Sequence, residues 1–399
     1  MEKKIGVVIG ASRDAIHTIE QAKDEGVYVV ALDGNPNAAG FEYADKSINV
    51  DISNLEKVCE EIEKIKPDFV IPVPIGRYLT TTGYVNEKYG LKGIKYQATV
   101  NSTDKYFFHK KLKDNGLRNI EAFLINENTE IDKINIPYPA IIKPRYGSGS
   151  RDVYYVNNDM EKEEAFHKIK VLKEDFIIEQ AVQGEEYGFD GAVINNELKT
   201  IILRKKVITS LPERQAVAYI SIKKKEYDND IYIRINNLIK KVLEIMEYNN
   251  CLIHADLIIT NEEIFVIEIS PRPSGHNLHN AFIPICSGID MAREYIKFLL
   301  NRECCFESDS IKKMQIKFFD FNNVRILKVP TEEEVRLNSK VNLILWNCNI
   351  APNDILGKVT NGASIMGRGF FIVEGVDEED LIKQSNMVLQ QFQYESVES

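Results

Sequence analysis

The chain has 399 residues, 44% of them hydrophobic and 28% charged, with a net charge of −10 at pH 7. That length exceeds what a single core supports, so two or three domains are expected. The acidic balance argues against a nucleic-acid or anionic-membrane partner, since both call for basic surface, but it leaves room for a locally basic nucleotide pocket.

Residues 1–100 alternate strand and helix. Ile5 to Ile9 is a compact apolar run that stops at Gly10, and a helical pattern follows from Ser12 to Lys23. The start has two lysines before this run but no secretory cleavage site, so it reads as a first strand. Val27 to Leu32 is a second strand, ended by the turn Asp33-Gly34-Asn35-Pro36. A short third strand spans Ser47 to Val50, a helix spans Asn54 to Lys64, and a fourth strand spans Phe69 to Val73. Such alternation means a parallel sheet covered on both faces, with ligands at the carboxyl ends of its strands. Gly10 to Arg13 and Pro74 to Arg77 stand at such ends. Asp33 is placed where a ribose-binding acid would be, but the first turn reads G-A-S-R-D-A without the dinucleotide glycines, so a structural turn is the better reading.

From about residue 101 the texture changes. Ser102 or Thr103 with Asp104 opens a helix through Leu112, β-rich segments follow, and a long helix covers Ile231 to Glu247. The composition shifts again around residues 300–310, and the tail holds short strands and a last helix from Glu378 to Gln391. The six cysteines (Cys59, Cys251, Cys286, Cys304, Cys305 and Cys348) form no C-x-x-C pair, which fits a reduced compartment better than a disulfide framework or a zinc site. No apolar stretch is long enough to cross a bilayer.

Four constellations carry chemistry. In Ile141 to Val153 an apolar strand delivers Lys143 into a loop with Gly147, Ser148, Gly149 and Ser150. Small residues let backbone N–H groups approach phosphate oxygens, and the lysine adds a point charge. An exposed lysine beside a glycine-rich hairpin turn would look the same in isolation. In Phe176 to Tyr187 a strand runs into acids: Glu179 and the backbone near Val182 could bond an adenine edge, and Glu186 could accept from a ribose, although solvated acids at a strand end fit as well. Leu252 to Ile259 and Ile264 to Ser270 read as a hairpin. With the turn centred on Glu262, Asp256 falls opposite Glu268, their Cβ atoms roughly 5 Å apart. Opposed carboxylates repel unless a cation lies between them, and oxygen-only ligands suit Mg²⁺. Pro271 to Asn277 then holds Arg272, whose planar fork suits a phosphoryl group and a carboxylate together. Arg204 to Lys206 and Pro212 to Gln215 are expected to face substrates.

In this order and spacing the residues resemble the ATP-grasp superfamily, in particular its carboxylate–amine ligases and the branch of biotin carboxylase and formate-dependent glycinamide ribonucleotide transformylase. The resemblance covers most of the chain. It implies an α/β fold: a Rossmann-like pre-ATP-grasp domain over residues 1–100, an ATP-grasp domain with a lid subdomain over 101–300, and a small C-terminal α+β domain over 301–399. It implies that Lys105 and Lys143 meet phosphates, that Ser148 and Gly149 belong to a phosphate-covering loop, that Glu179 and Val182 form the adenine hinge, and that Glu186 meets the ribose. Asp256, Glu268 and Ser270 then face the metal, and Arg272 with Lys143 serves the reacting centre. Asp256 stands where glutamate is more usual, and Ser270 where asparagine is. The implied activity is an ATP-dependent ligase forming an amide or peptide bond through an acyl phosphate. An ATP-dependent carboxylase acting on bicarbonate and a non-catalytic ATP-binding module are the alternatives. The implied cofactors are ATP and Mg²⁺, or Mn²⁺ in its place. The implied partners are a small-molecule carboxylate and an amine, in the cytoplasm, with no nucleic acid or membrane and with homodimerisation left open.

Overall fold

The computed structural model describes residues 3–147, 151–210, 214–223, 229–308 and 310–397. Four apolar runs open the chain as β1 (Ile5–Ile9), β2 (Tyr28–Asp33), β3 (Lys46–Asn49) and β4 (Phe69–Ile71). They form a parallel sheet in the order β3-β2-β1-β4, as the alternating pattern implies. Asp33 closes the first loop: one carboxylate oxygen accepts from Ala11 N at 2.7 Å and the other from Asn35 N at 2.8 Å. Both oxygens are engaged in turn structure, which agrees with the structural rather than the ribose-binding reading. Gly10 turns the chain with φ of 95°, and a Cβ there would meet Ile75 Cδ1 at 2.6 Å, so the loops after β1 and β4 interlock.

A helix Tyr96–Thr103 that the sequence pattern did not announce precedes the expected one, Lys105–Asp114. Asp104 caps the latter by accepting from Phe107 N at 3.0 Å. A small antiparallel sheet follows: β5 (Ala122–Ile125), β6 (Ala140–Pro144), β7 (Tyr154–Val156) and β8 (Phe176–Gln180), in the order β5-β8-β6-β7. Its buried face (Ile125, Ile142, Phe176 and Ile178) packs on Phe166 and Ile169 of the helix Asp159–Lys170.

The larger sheet begins with β9 (Glu185–Ile194), β10 (Glu197–Ile208), β11 (Ala216–Ser221), β12 (Cys251–Ile259) and β13 (Ile264–Ser270). The helix Asn229–Met246 lays Ile235, Ile239, Val242 and Met246 against Phe189, Leu203 and Ile253 of this sheet. The tail contributes β14 (Met314–Phe318), β15 (Val324–Lys328), β16 (Leu343–Cys348), β17 (Ile355–Leu356), β18 (Gly369–Glu374) and β19 (Gln393–Ser396). β14 pairs with β11, Tyr219 opposite Ile316, so the sheet runs without a break in the order β13-β12-β9-β10-β11-β14-β18-β16. β15, β17 and β19 make a separate three-stranded sheet. Among the described residues no helix is long and apolar enough to cross a membrane.

Candidate active site

The β12–β13 hairpin sets the site. Asp256 pairs with Glu268, as the sequence pattern anticipated, and His254 pairs with Ser270. Nearer the turn the pairing is Ile259 with Ile264 and Leu257 with Val266, so Ile267 is bulged out of the ladder. Both carboxylates keep about a third of their side-chain surface exposed, 32% for Asp256 and 34% for Glu268, and both line one cleft. Ser270 is buried and lies off the cleft wall.

Lysines reach both acids. Lys206 on β10 puts its ammonium 3.1 Å from Asp256 and 3.4 Å from Glu186. Lys105 lies 3.5 Å from Glu268 and donates to the Gly147 carbonyl at 2.6 Å. Burial works to raise the Asp256 carboxyl, but Lys206, His254 and Arg204 outweigh it and hold the group below its ordinary range. Glu268 follows the same pattern, with Lys105 the main opposing charge. Burial would discharge Lys206, yet Asp256 and Glu186 keep it firmly protonated. Glu186 also accepts from Arg214.

Lys143, near the end of β6, belongs to a buried cluster. It donates to Glu179 at 2.7 Å, and Arg118 bonds the other oxygen of that carboxylate at 2.7 Å. His109 lies 3.3 Å from the Lys143 ammonium. Burial pushes His109 well below its usual range, which keeps it neutral and able to accept from the lysine. Burial also lowers Lys143, with Glu179 pulling it back up, and the charges of Lys143 and Arg118 hold Glu179 below the carboxylate range despite burial. Two cationic side chains around one carboxylate leave a positive surplus, and Lys143 presents it to the cleft. Both oxygens of Glu179 are engaged, one by Lys143 and the other by Arg118. Val182 lines a second cavity of about 400 Å³ with Gln180, Gln183 and Pro139.

Beneath the acids runs a second buried pair. Arg204 donates to Asp190 at 2.8 Å, and its other arm reaches His254 Nδ1 at 2.9 Å. The same His254 Nδ1 lies 3.3 Å from Asp190, and its Nε2 is 4.0 Å from Asp256. Gly188 makes room for the guanidinium, since a Cβ there would fall 2.0 Å from Arg204 Nη1.

The cleft has a volume of about 390 Å³. Six cationic side chains line it (Lys105, Lys143, Arg151, Lys206, Arg214 and Arg272) against four acids (Asp14, Glu186, Asp256 and Glu268), in a chain whose net charge is −10. Such a site takes anions. Arg272 is steadied by its own loop, donating to the Pro273 carbonyl at 2.8 Å. After Gly275, His276 and Asn277 take φ of 59° and 55°, a strained pair of the kind that clusters at working sites. Burial lowers His276 to about 4, leaving it neutral at pH 7. Of the expected residues, Lys105, Lys143, Glu186, Asp256, Glu268 and Arg272 converge on this cleft. Glu179 stands behind Lys143, Val182 lines the neighbouring cavity, Ser270 is buried, and Ser148 and Gly149 lie outside the described residues. Sequence reading missed Arg118, His109 and Asp14; basic and acidic residues scattered on a helix or loop carry no signal of convergence. Among the described residues no three His, Cys, Asp or Glu side chains form a metal cage. Two opposed carboxylates with oxygen donors alone still fit Mg²⁺, which binds through one or two carboxylates with phosphates and water completing its shell.

Residues 136–280 match the family model of the ATP-grasp domain. These residues form an ATP-grasp domain. The C-terminal section of the carbamoyl phosphate synthase large chain from Aquifex aeolicus is 26% identical over 290 residues, covering 68% of this chain and 52% of that protein. The D-alanine–D-alanine ligase of Helicobacter pylori is 24% identical over 197 residues, covering 45% and 54%. The chain thus spans about half the length of these curated relatives. The crystal structure of an L-amino acid ligase from Bacillus licheniformis superposes with a TM-score of 0.81 at 16% identity, covering 100% of both chains. At that identity the likeness shows the fold: the arrangement of that ligase is shared over the whole of this chain, from the parallel sheet to the last strands.

Proposed function

We propose that the chain is an ATP-dependent ligase that activates a small-molecule carboxylate as an acyl phosphate and joins it to an amine, releasing ADP and phosphate. The carrying observation is Asp256 set opposite Glu268 on the wall of a cleft that Lys105, Lys143, Lys206 and Arg272 also line. The relatives and neighbour named above support the reading, since their names describe synthases and ligases. Asp256 and Glu268 would hold Mg²⁺, with Ser270 as a supporting oxygen behind them. A magnesium ion bound there supplies neutralisation of phosphate charge.

The chain's own residues do the rest. Ile141, Val153, Leu257 and Ile267 form apolar cleft walls suited to adenine, with Glu186 toward the ribose, while Glu179 braces Lys143 from behind rather than meeting the base. Lys105 and Lys143 meet the phosphates, and the loop holding Ser148 and Gly149 covers them. Arg272 bridges the transferred phosphoryl group and the substrate carboxylate, a geometry its planar fork suits. A carboxylate oxygen attacks the γ-phosphorus as the bond to the ADP oxygen breaks. The amine nitrogen then attacks the acyl carbon, the carbon–oxygen bond to phosphate breaks, and the nitrogen sheds a proton. Such a reaction belongs in the cytoplasm, where ATP and Mg²⁺ are supplied. The test is ADP release across pairs of amino acids and small carboxylates, with mass spectrometry of products. ADP release driven by bicarbonate alone would replace the reading with a carboxylase. Nucleotide binding without ADP release across the panel would replace it with a non-catalytic module.

A further inference from the structure

Three of the four carboxylates lining the cleft have a cation in contact: Glu186 has Arg214 and Lys206, Asp256 has Lys206, and Glu268 has Lys105. Asp14 has none. Among the described residues it makes no hydrogen bond and no ion pair, although it is half-buried. Its position is fixed by the backbone around it. It sits in the turn Arg13–Ala15 after β1, where Ala15 N donates to Ser12 O at 3.0 Å and Gly40 N donates to Ala11 O at 2.8 Å. One carboxylate oxygen lies 3.8 Å from where a Cβ on Gly275 would stand, so the group overlooks the loop that carries Arg272. Burial raises its carboxyl above the ordinary value, and the charges of Arg272 and Arg13 offset only part of this. A carboxylate desolvated without a partner is costly, and a cationic ligand removes that cost.

Arg272 offers the complementary charge from the same cleft. In an α-amino acid the ammonium and carboxylate groups are attached to one carbon, so a nearby anion and cation on the protein match both ends. We infer that Asp14 binds the α-ammonium group of an α-amino acid whose carboxylate is held by Arg272, so that the substrate activated by phosphorylation is a zwitterion. This rests on the ligase reading and adds its substrate class and a specificity-determining residue supplied by the N-terminal sheet. The arrangement has a chemical use. A carboxylate beside an ammonium favours the protonated form, which has no lone pair, so the donor's own nitrogen is kept from attacking an acyl phosphate. The attacking amine is then a second molecule.

Hydroxylamine in place of the amine tests this without knowledge of the acceptor, because its nitrogen displaces phosphate from any acyl phosphate and leaves a hydroxamate. α-Amino acids are compared with their deaminated counterparts, for example alanine with propionate. Wild type should favour the amino acid in kcat/KM by on the order of a hundredfold, the scale of losing one partner of a buried charge pair. Asp14→Asn should collapse that ratio toward one, and Asp14→Glu should restore part of it. A ratio taken within one preparation cancels inactive protein, so poor folding cannot imitate the effect. Hydroxamate formed equally from both acids by wild type, or a ratio unchanged in Asp14→Asn, overturns the role of Asp14 and leaves the ligase reading standing. No hydroxamate from any carboxylate overturns the ligase reading and the Asp14 site with it.

Discussion

Asp256 faces Glu268 across β12 and β13 because Ile267 has no partner opposite it. Continued regularly from the pair Ile259–Ile264, the ladder would set Asp256 against Ile267 and turn Glu268 to the other face of the sheet. The bulge therefore places both acids on one wall. Glu268→Ala should abolish turnover, Asp256→Asn should lower it severely, and Ser270→Ala should cost only about tenfold, the scale of one outer contact to a metal ligand. The assay is ADP release at saturating Mg²⁺. Near-normal turnover in Glu268→Ala would sink the metal site.

Lys143 presents its charge to the cleft while Glu179 and Arg118 hold it from behind. If the charge meets phosphates as proposed, Lys143→Ala should weaken ATP more than AMP in calorimetry; equal weakening of both refutes the assignment. Glu179→Gln leaves Lys143 and Arg118 without their common counter-charge and should destabilise the fold by about 3–5 kcal/mol. The pH dependence follows from a carboxyl held below its ordinary value of 4.5. The stability Glu179 contributes is fully present above about pH 4.5 and is lost as pH falls toward the lowered value. In denaturant titrations the glutamine variant should show a shallower acid limb than wild type.

Lys206 is the cation shared by Asp256 and Glu186. Without it Glu186 keeps Arg214, but Asp256 loses the lysine beside it and depends more on what binds from solution. Lys206→Met should therefore melt at a lower temperature than wild type in EDTA and recover more than wild type when Mg²⁺ is added, because a ligand that prefers the folded state stabilises it by mass action. Parallel melting curves for the two proteins across a magnesium series would contradict this.

Gly188 lies under the Arg204 guanidinium at a separation no side chain can share. Gly188→Ala should push Arg204 off Asp190 and cost about 3–5 kcal/mol, the range for breaking a buried pair. Thermal and chemical unfolding measure it. A change under about 1 kcal/mol would mean that Arg204 finds a second buried arrangement.

The parallel sheet, the cap at Asp104 and the hairpin acids were legible because each is announced within a few residues: apolar runs ended by turns, an aspartate before a helix, and two acids in mirrored positions. The hairpin also shows the limit. A turn centred on Glu262 gave the right partner for Asp256, yet the pairs near the turn sit one residue off that centre, and only the bulge at Ile267 restores the match. Nothing in the residues announces a bulge. Distant convergence was equally silent. Arg118 reaches Glu179 across 61 positions, and Asp14 meets the Arg272 loop from the other end of the chain. The pairing of β11 with β14 joins residues almost a hundred positions apart, a choice made by sheet-edge packing rather than local propensity.

All four strands of the small sheet come from one uninterrupted stretch, Ala122 to Gln180, so that sheet is covalently joined to the rest only where the stretch begins and ends. Among the described residues no strand of the small sheet is hydrogen-bonded to a strand of the large one. The small sheet can swing as one piece without unzipping a ladder. Lys105 marks where such a swing would be felt, because one ammonium touches the Gly147 carbonyl on the small-sheet side and Glu268 on the large. Opening must part that ammonium from one of the two. On the proposed reading, a phosphate bound between them would meet a cation already shared by both jaws, so grip on the nucleotide and closure of the jaws would be the same event.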